Sequence, residues 1–177
     1  LFKEKNIAGL INCAGTTISD HALNYSLKNW HLTLAVNLTA SFLLSQIISK
    51  VMIKNKTKGS IINISSISAK VAMPNNPAYN ASKAALTNLT KSFAVDLAKY
   101  KIRVNSISPG YTNTPLNLKS WRDKKLRAKR SNKTLMKRWA LANEYNEALL
   151  FLLDNRKSSY MTGSNITIDG GWTSKGL

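Results

Sequence analysis

Tyr79 and Lys83 stand four residues apart in Tyr79-Asn80-Ala81-Ser82-Lys83. On a helix that spacing puts both side chains on one face, a turn apart. A free phenol titrates near pH 10, too high to exchange protons usefully around neutrality. A nearby ammonium stabilises the phenolate, and a downward shift of about three units corresponds to roughly 4 kcal/mol of differential interaction. A close charge in a half-buried site can supply that much. The expectation is a Tyr79 phenol lowered by Lys83, serving as general acid toward a carbonyl or general base toward an alcohol. Ser65 and Ser66 follow the apolar run Ile61-Ile62-Asn63-Ile64. A hydroxyl at the carboxyl end of a parallel strand can donate to a substrate oxygen as charge builds on it; it can equally cap a turn. Asn37 is suited to hold a water that relays protons to Lys83, or simply to start a helix.

Positioning these groups requires strands and helices in alternation. Residues 7–11 read as a short buried strand ending in the turn Asn12-Cys13-Ala14-Gly15. Asp20 is the expected cap of a helix running through Trp30, and a second helix over residues 37–53 carries Leu38, Phe42, Leu43 and Ile47 at helical spacing. Residues 61–64 form the next strand, residues 78–100 a long helix, and residues 103–107 a strand that stops at Pro109-Gly110. A helix over 143–153 and a last strand over 165–168 follow. The fold class is α/β: a Rossmann-like, doubly wound parallel sheet, with residues 1–177 forming a single unit.

The chain is long enough for one domain, and 44% hydrophobic residues suffice for a core. Cys13 is the sole cysteine, which excludes an internal disulfide and suits a cytoplasmic location. No apolar run approaches the roughly 20 residues of a membrane span, no export leader is visible, and no metal is expected. The first residue is Leu1, so the start is expected to lie upstream. The net charge is +18, and half of it falls in residues 119–138, where ten Lys or Arg face the single acid Asp123. Such a stretch either draws in an anionic partner or forms a solvated helical face with Trp121, Leu126 and Leu135 packed inward.

Together these residues resemble the short-chain dehydrogenase/reductase family over essentially the whole chain. Asn12-Cys13-Ala14-Gly15 is similar to its Asn-Asn-Ala-Gly turn, and Asn37, Ser66, Tyr79 and Lys83 match its catalytic asparagine, serine, tyrosine and lysine. Pro109-Gly110-Tyr111-Thr112-Asn113-Thr114 resembles the Pro-Gly-x-x-x-Thr segment that contacts nicotinamide, and Ile168-Asp169-Gly170-Gly171 resembles the last strand and its turn. The resemblance implies a cofactor, NAD or NADP, bound by Asn12, Ala14, Gly15, Tyr79, Lys83, Pro109, Gly110, Thr112 and Thr114. It implies hydride transfer with a carbonyl or alcohol, Lys83 also bonding the nicotinamide ribose. It further implies a mobile lid over about residues 116–140 and a homodimer or homotetramer. The ending Asp169-Gly170-Gly171-Trp172-Thr173 looks like that of members acting on sugars or sugar acids; a ketone on an acidic carrier also suits the basic lid. Replacing Arg122, Lys125 and Arg130 with glutamine is expected to raise KM for an anionic substrate more than for a neutral one.

The family's opening strand, glycine-rich turn and helix have no match among the glycines here, and the first strand matches the family's fourth. The first three strands and two helices are therefore expected to be missing, which exposes the edge of residues 7–12 and leaves this chain a poor binder of cofactor. Two other classes compete. One is an inactive remnant that persists as a pairing partner through the helices from Ala78 and Asn143. The other is a nucleic-acid-binding module, suggested by the charge but without interleaved aromatic residues.

Overall fold

A computed structural model describes residues 6–174; Leu1 and Gly176 lie outside them. Four parallel strands form the sheet in the order β1-β2-β3-β6: β1 Gly9–Asn12, β2 Ser60–Ile64, β3 Arg103–Pro109 and β6 Asn165–Ile168. Strand side chains alternate between faces, and the two faces hold different cores. Ile61 and Val104 pack on one side with Ile48 and Met52 of helix α2, Ala40–Lys54, and with Ala94 and Leu97 of α3, Pro77–Leu97. Ile62 and Ile107 pack on the other with Tyr145 and with Leu152 of α6, Asn146–Leu153. The sheet is thus wound on both faces, as the sequence pattern anticipates, and β1 is an edge strand with Ile11 exposed.

The region before β2 differs from expectation. Asp20 caps no long helix: its carboxylate accepts the neighbouring His21 amide. Ser26 caps instead, accepting Asn29 N at 3.2 Å, and opens α1, Leu27–Leu34. This runs without a break through a π-helical turn, Ala35–Thr39, into α2. The periodicity is that of two helices because one extra residue in the π turn shifts the register. The joined helix, Leu27–Lys54, is long and apolar enough by length and composition to cross a membrane. Its inward face packs on protein: Asn37, Ser41, Ser45, Ile48, Ser49 and Met52 are all buried. Ser45 of that row meets Asn12, whose amide donates to Ser45 Oγ at 3.0 Å and to Asn63 Oδ1 of β2 at 2.8 Å.

Past β3, the chain forms β4, Thr112–Asn113, which pairs in parallel with β5, Ala140–Leu141. Between them lie the short helices α4, Leu118–Arg122, and α5, Lys124–Ser131; Asp123 caps the latter by accepting Leu126 N at 2.9 Å. The two-stranded ladder closes the basic segment into a loop with a fixed neck.

Candidate active site

All four main strands end on the same side, so Asn12, Ser65-Ser66, Pro109-Gly110 and Asp169-Gly170 converge on one edge of the sheet. Ser65 Oγ lies 3.1 Å from Lys83 O and 2.7 Å from Thr87 Oγ1, docking α3 against β2. Ser66 does two things at once. Its Oγ accepts Ser68 N at 3.1 Å, capping the turn Ile67–Ala69, and its side chain is the neighbour that lowers the Tyr79 phenol.

Lys83 is 4% exposed, and its Nζ donates to Ile64 O at 2.8 Å. The ammonium lies 5.8 Å from the Tyr79 ring centroid. Burial draws the Lys83 pKa down to about 8, with Cys13 acting in the opposite sense. Burial likewise pushes the Tyr79 phenol above its ordinary value, and the Ser66 interaction only partly reverses this. The expected lowering of Tyr79 by Lys83 is therefore corrected: the ammonium is turned to a main-chain carbonyl, desolvation dominates, and the phenol is held protonated.

Asn37 is fully buried in the π turn. Its Oδ1 accepts Thr16 N at 2.8 Å, and its Nδ2 donates to Thr16 O and Ser82 Oγ, each at 3.0 Å. Ser82 in turn donates to Tyr79 O at 2.8 Å. The Asn37 side chain thus joins the turn after β1 to the Tyr79–Lys83 helix. It does not start a helix.

The expected cofactor residues divide by environment. Asn12 points its side chain into the helix–sheet packing, away from the crevice, and its buried Oδ1 has no partner among the described residues. Ala14 and Gly15 are exposed; a Cβ on Gly15 would lie 3.7 Å from Asn37 Oδ1 and 3.8 Å from Lys83 Nζ. Pro109 and Gly110 end β3, but Gly110 is glycine for packing: a Cβ there would come 2.7 Å from Asp169 Cα. The Thr112 hydroxyl is engaged internally, 3.0 Å from Gly110 O and 2.7 Å from Tyr145 Oη. Thr114 is half-buried at the start of the turn Pro115–Asn117, with no hydrogen bond to its hydroxyl among the described residues.

Several site residues escape a reading of the sequence. Asn80 clamps the loop before α3, donating to Met73 O at 2.9 Å and accepting Met73 N at 3.3 Å. Asn76 accepts hydroxyls from Thr17 and Ser19, each at 2.9 Å, fastening the loop after β1 to the same rim. Tyr145 pins Thr112. The turn Asp169-Gly170-Gly171 anchors the basic segment: Gly170 O accepts Leu135 N at 2.9 Å and Met136 N at 3.1 Å. Gly171, at φ +78, leaves no room for a Cβ, which would fall 2.6 Å from Leu135 Cδ1. Burial opposes ionisation of Asp169, but hydrogen bonds from Thr173, Gly171 and Trp172 outweigh it and hold the carboxyl below its ordinary range. The aromatic residues dispersed in sequence do meet in space, Tyr111 with Trp139 and Trp172, and Trp121 with Trp139. They pack on one another, with Trp139 buried, so they form a small aromatic core rather than an open stacking platform. Among the described residues, no three His, Cys, Asp or Glu are grouped to hold a metal.

A family model described as Enoyl-(Acyl carrier protein) reductase matches residues 3–173. D-arabinitol 2-dehydrogenase (ribulose-forming) of Candida tropicalis is 40% identical over 167 residues, covering 92% of this chain and 59% of that protein. The 2-dehydro-3-deoxy-D-gluconate 5-dehydrogenase of Bacillus subtilis is 38% identical over 180 residues, covering 99% of this chain and 68% of that one. A gluconate 5-dehydrogenase from Burkholderia cenocepacia, solved with NADP and tartrate, superposes with a TM-score of 0.94 at 32% identity, covering 98% of this chain and 68% of that chain. The chain thus spans between about six and seven tenths of the length of these relatives. It belongs to the short-chain dehydrogenase/reductase family.

Proposed function

We propose that this chain is the carboxy-terminal, catalytic part of an oxidoreductase that transfers hydride between NAD or NADP and a small carbonyl or alcohol substrate. A polyol, sugar or sugar acid fits best. The observation that carries the reading is the meeting of Ser66, Tyr79 and Lys83 at the carboxyl edge of the sheet, with Tyr79 kept protonated. The named activities of the relatives and the tartrate in one of them support the substrate class. A ketone on an acidic acyl carrier is the second reading, favoured by the description of the matching family model.

The residues present fit the nicotinamide half of the cofactor. Lys83 is buried and gives one N–H to Ile64 O, which leaves two donors facing Gly15 for a ribose hydroxyl. Thr114 offers a hydroxyl unengaged among the described residues for the carboxamide side. Nicotinamide, when bound, supplies or takes up the hydride. Tyr79 gives its proton to the substrate oxygen during carbonyl reduction and recovers it during alcohol oxidation. Ser66 donates to the same oxygen as negative charge develops there. Ser66, not Lys83, is the neighbour that biases the phenol toward release.

No Thr-Gly-x-x-x-Gly-x-Gly turn is present for the adenosine half, so we assign that half to a segment upstream of this chain. The 177-residue chain alone then binds NADH and NADPH weakly; micromolar affinity in isothermal titration overturns this. We place the protein in the cytoplasm, where the exposed thiol of Cys13 stays reduced, and as a homo-oligomer built on the apolar outer faces of α2, which bears Leu43, Leu44 and Ile47, and of α6, which bears Leu150. Activity is tested in the full-length protein by nicotinamide absorbance with D-arabinitol and D-gluconate. Turnover that falls about 10²–10⁴-fold in Tyr79→Phe is the expected result. A protein that dimerises but reduces neither cofactor is instead the inactive pairing remnant.

A further inference from the structure

The basic segment is not uniform. Arg138 is paired with Glu144 at 2.6 Å, and Arg127 donates to Trp121 O while lying 4.8 Å over that ring. Arg122, Lys124, Lys125 and Lys129 are exposed. Arg130 stands apart. It is half-buried, its guanidinium 4.9 Å from the Tyr111 centroid and 5.8 Å from that of Trp139. Among the described residues its guanidinium makes no hydrogen bond and no ion pair. The carboxylates of the region are already occupied: Asp123 by the Leu126 amide, Glu144 by Arg138 and Leu141, Asp169 by Gly171 and Thr173. Aromatic faces hold the plane of Arg130 without satisfying any of its N–H donors, which lie in a rigid fork suited to two oxygens of one anion.

Tyr111 ties this fork to the reacting end of the molecule. Its hydroxyl donates to Met73 Sδ at 3.7 Å, and Met73 is clamped at both N and O by Asn80, the neighbour of Tyr79. We infer that Arg130 anchors the anionic end of the substrate, a carboxylate or phosphate on a small polyhydroxylated molecule, through paired N–H···O bonds. The inference rests on the oxidoreductase reading of this site and adds that the substrate is charged, with one residue fixing the charge. Pre-stacking on Tyr111 and Trp139 limits the side-chain freedom lost on binding.

Because Arg130 touches Trp139, binding has a readout that needs neither cofactor nor turnover. Tryptophan fluorescence of the protein is titrated with D-gluconate, D-glucose 6-phosphate and neutral D-sorbitol. A saturable response to gluconate alone assigns a carboxylate, and one to the 6-phosphate alone assigns a phosphate, with sorbitol weaker by about tenfold or more. Arg130→Gln is expected to weaken the anion by at least about tenfold, Arg130→Lys to restore part of it, and exposed Arg122→Gln to leave it within about threefold. Three outcomes overturn the inference: no saturable response to either anion, equal affinity for gluconate and sorbitol, or an Arg130→Gln protein that melts lower yet binds like the parent. Hydride transfer to neutral polyols without anion binding sinks the anchor and leaves the oxidoreductase reading intact. Anion binding without any hydride transfer does the reverse.

Discussion

The Lys83 ammonium lies 5.8 Å from the centre of the Tyr79 ring and gives a hydrogen bond to the Ile64 carbonyl at 2.8 Å. The pair is thus arranged so that burial, not the ammonium, governs the phenol, and Ser66 is the neighbour that lowers it. Alcohol oxidation needs the phenolate, so its rate should climb with pH. Ser66→Ala removes the lowering influence, and the alkaline rise should move to higher pH while kcat drops by about 10²-fold or more. A pH–rate profile of the full-length enzyme, parent against Ser66→Ala, checks both. An unmoved rise with the same drop in kcat would assign Ser66 to substrate polarisation alone.

Lys83 makes a separate claim on stability. Its folded pKa, about 8, lies below the free value of 10.5. Below pH 8 both folded and unfolded chains carry the proton, and the folded one bears the desolvation of a buried charge. Between pH 8 and 10.5 the unfolded chain binds more protons, so stability rises with pH across that window. The full effect is about 3 kcal/mol, set against the loss of one hydrogen bond. Lys83→Met should therefore raise the urea midpoint at pH 7, and the advantage should shrink toward pH 10 as activity stays abolished. A midpoint difference independent of pH would show that Lys83 titrates outside this window.

Much of the sheet is legible in the chain because its apolar runs are short and bounded: residues 61–64, 103–107 and 165–168 fall within observed strands. Tyr79 and Lys83 are legible for a local reason, since a spacing of four on a helix fixes their mutual placement. What stays hidden is non-local or breaks the period. The π turn at Ala35–Thr39 makes one helix read as two. The Asn37–Ser82 bond spans 45 positions and has no signature in either neighbourhood. Arg130 looks like Arg122 and Lys125 in sequence, and only tertiary packing on Tyr111 and Trp139 separates it from them. The direction of the Tyr79 shift also depends on burial, which the spacing alone does not contain.

Gly110 illustrates how packing can mimic a binding signature. A Cβ at this position would meet Asp169 Cα at 2.7 Å, and backbone cannot swing aside as a side chain can. Gly110→Ala should cost about 1–3 kcal/mol through a forced separation of the ends of β3 and β6. It should also loosen the basic segment, because the same Asp169 turn holds Leu135 and Met136. Thermal melts report the first effect, and hydrogen exchange at Leu135 and Met136 amides the second. A neutral melt would mean that the two strand ends already have slack.

Among the described residues strand β1 pairs only with β2, and its other edge presents main-chain groups unpaired by them beside the exposed side chain of Ile11. Such an edge recruits another strand. The 177-residue chain should therefore self-associate with rising concentration in sedimentation velocity. Ile11→Lys should shift it toward monomer, because a charge on the open edge resists pairing without entering either core. Ile47→Glu, on the outer face of α2, is the companion variant. If Ile11→Lys leaves association unchanged and Ile47→Glu abolishes it, the helix face rather than the sheet edge drives assembly. The edge would then be protected by its short length alone.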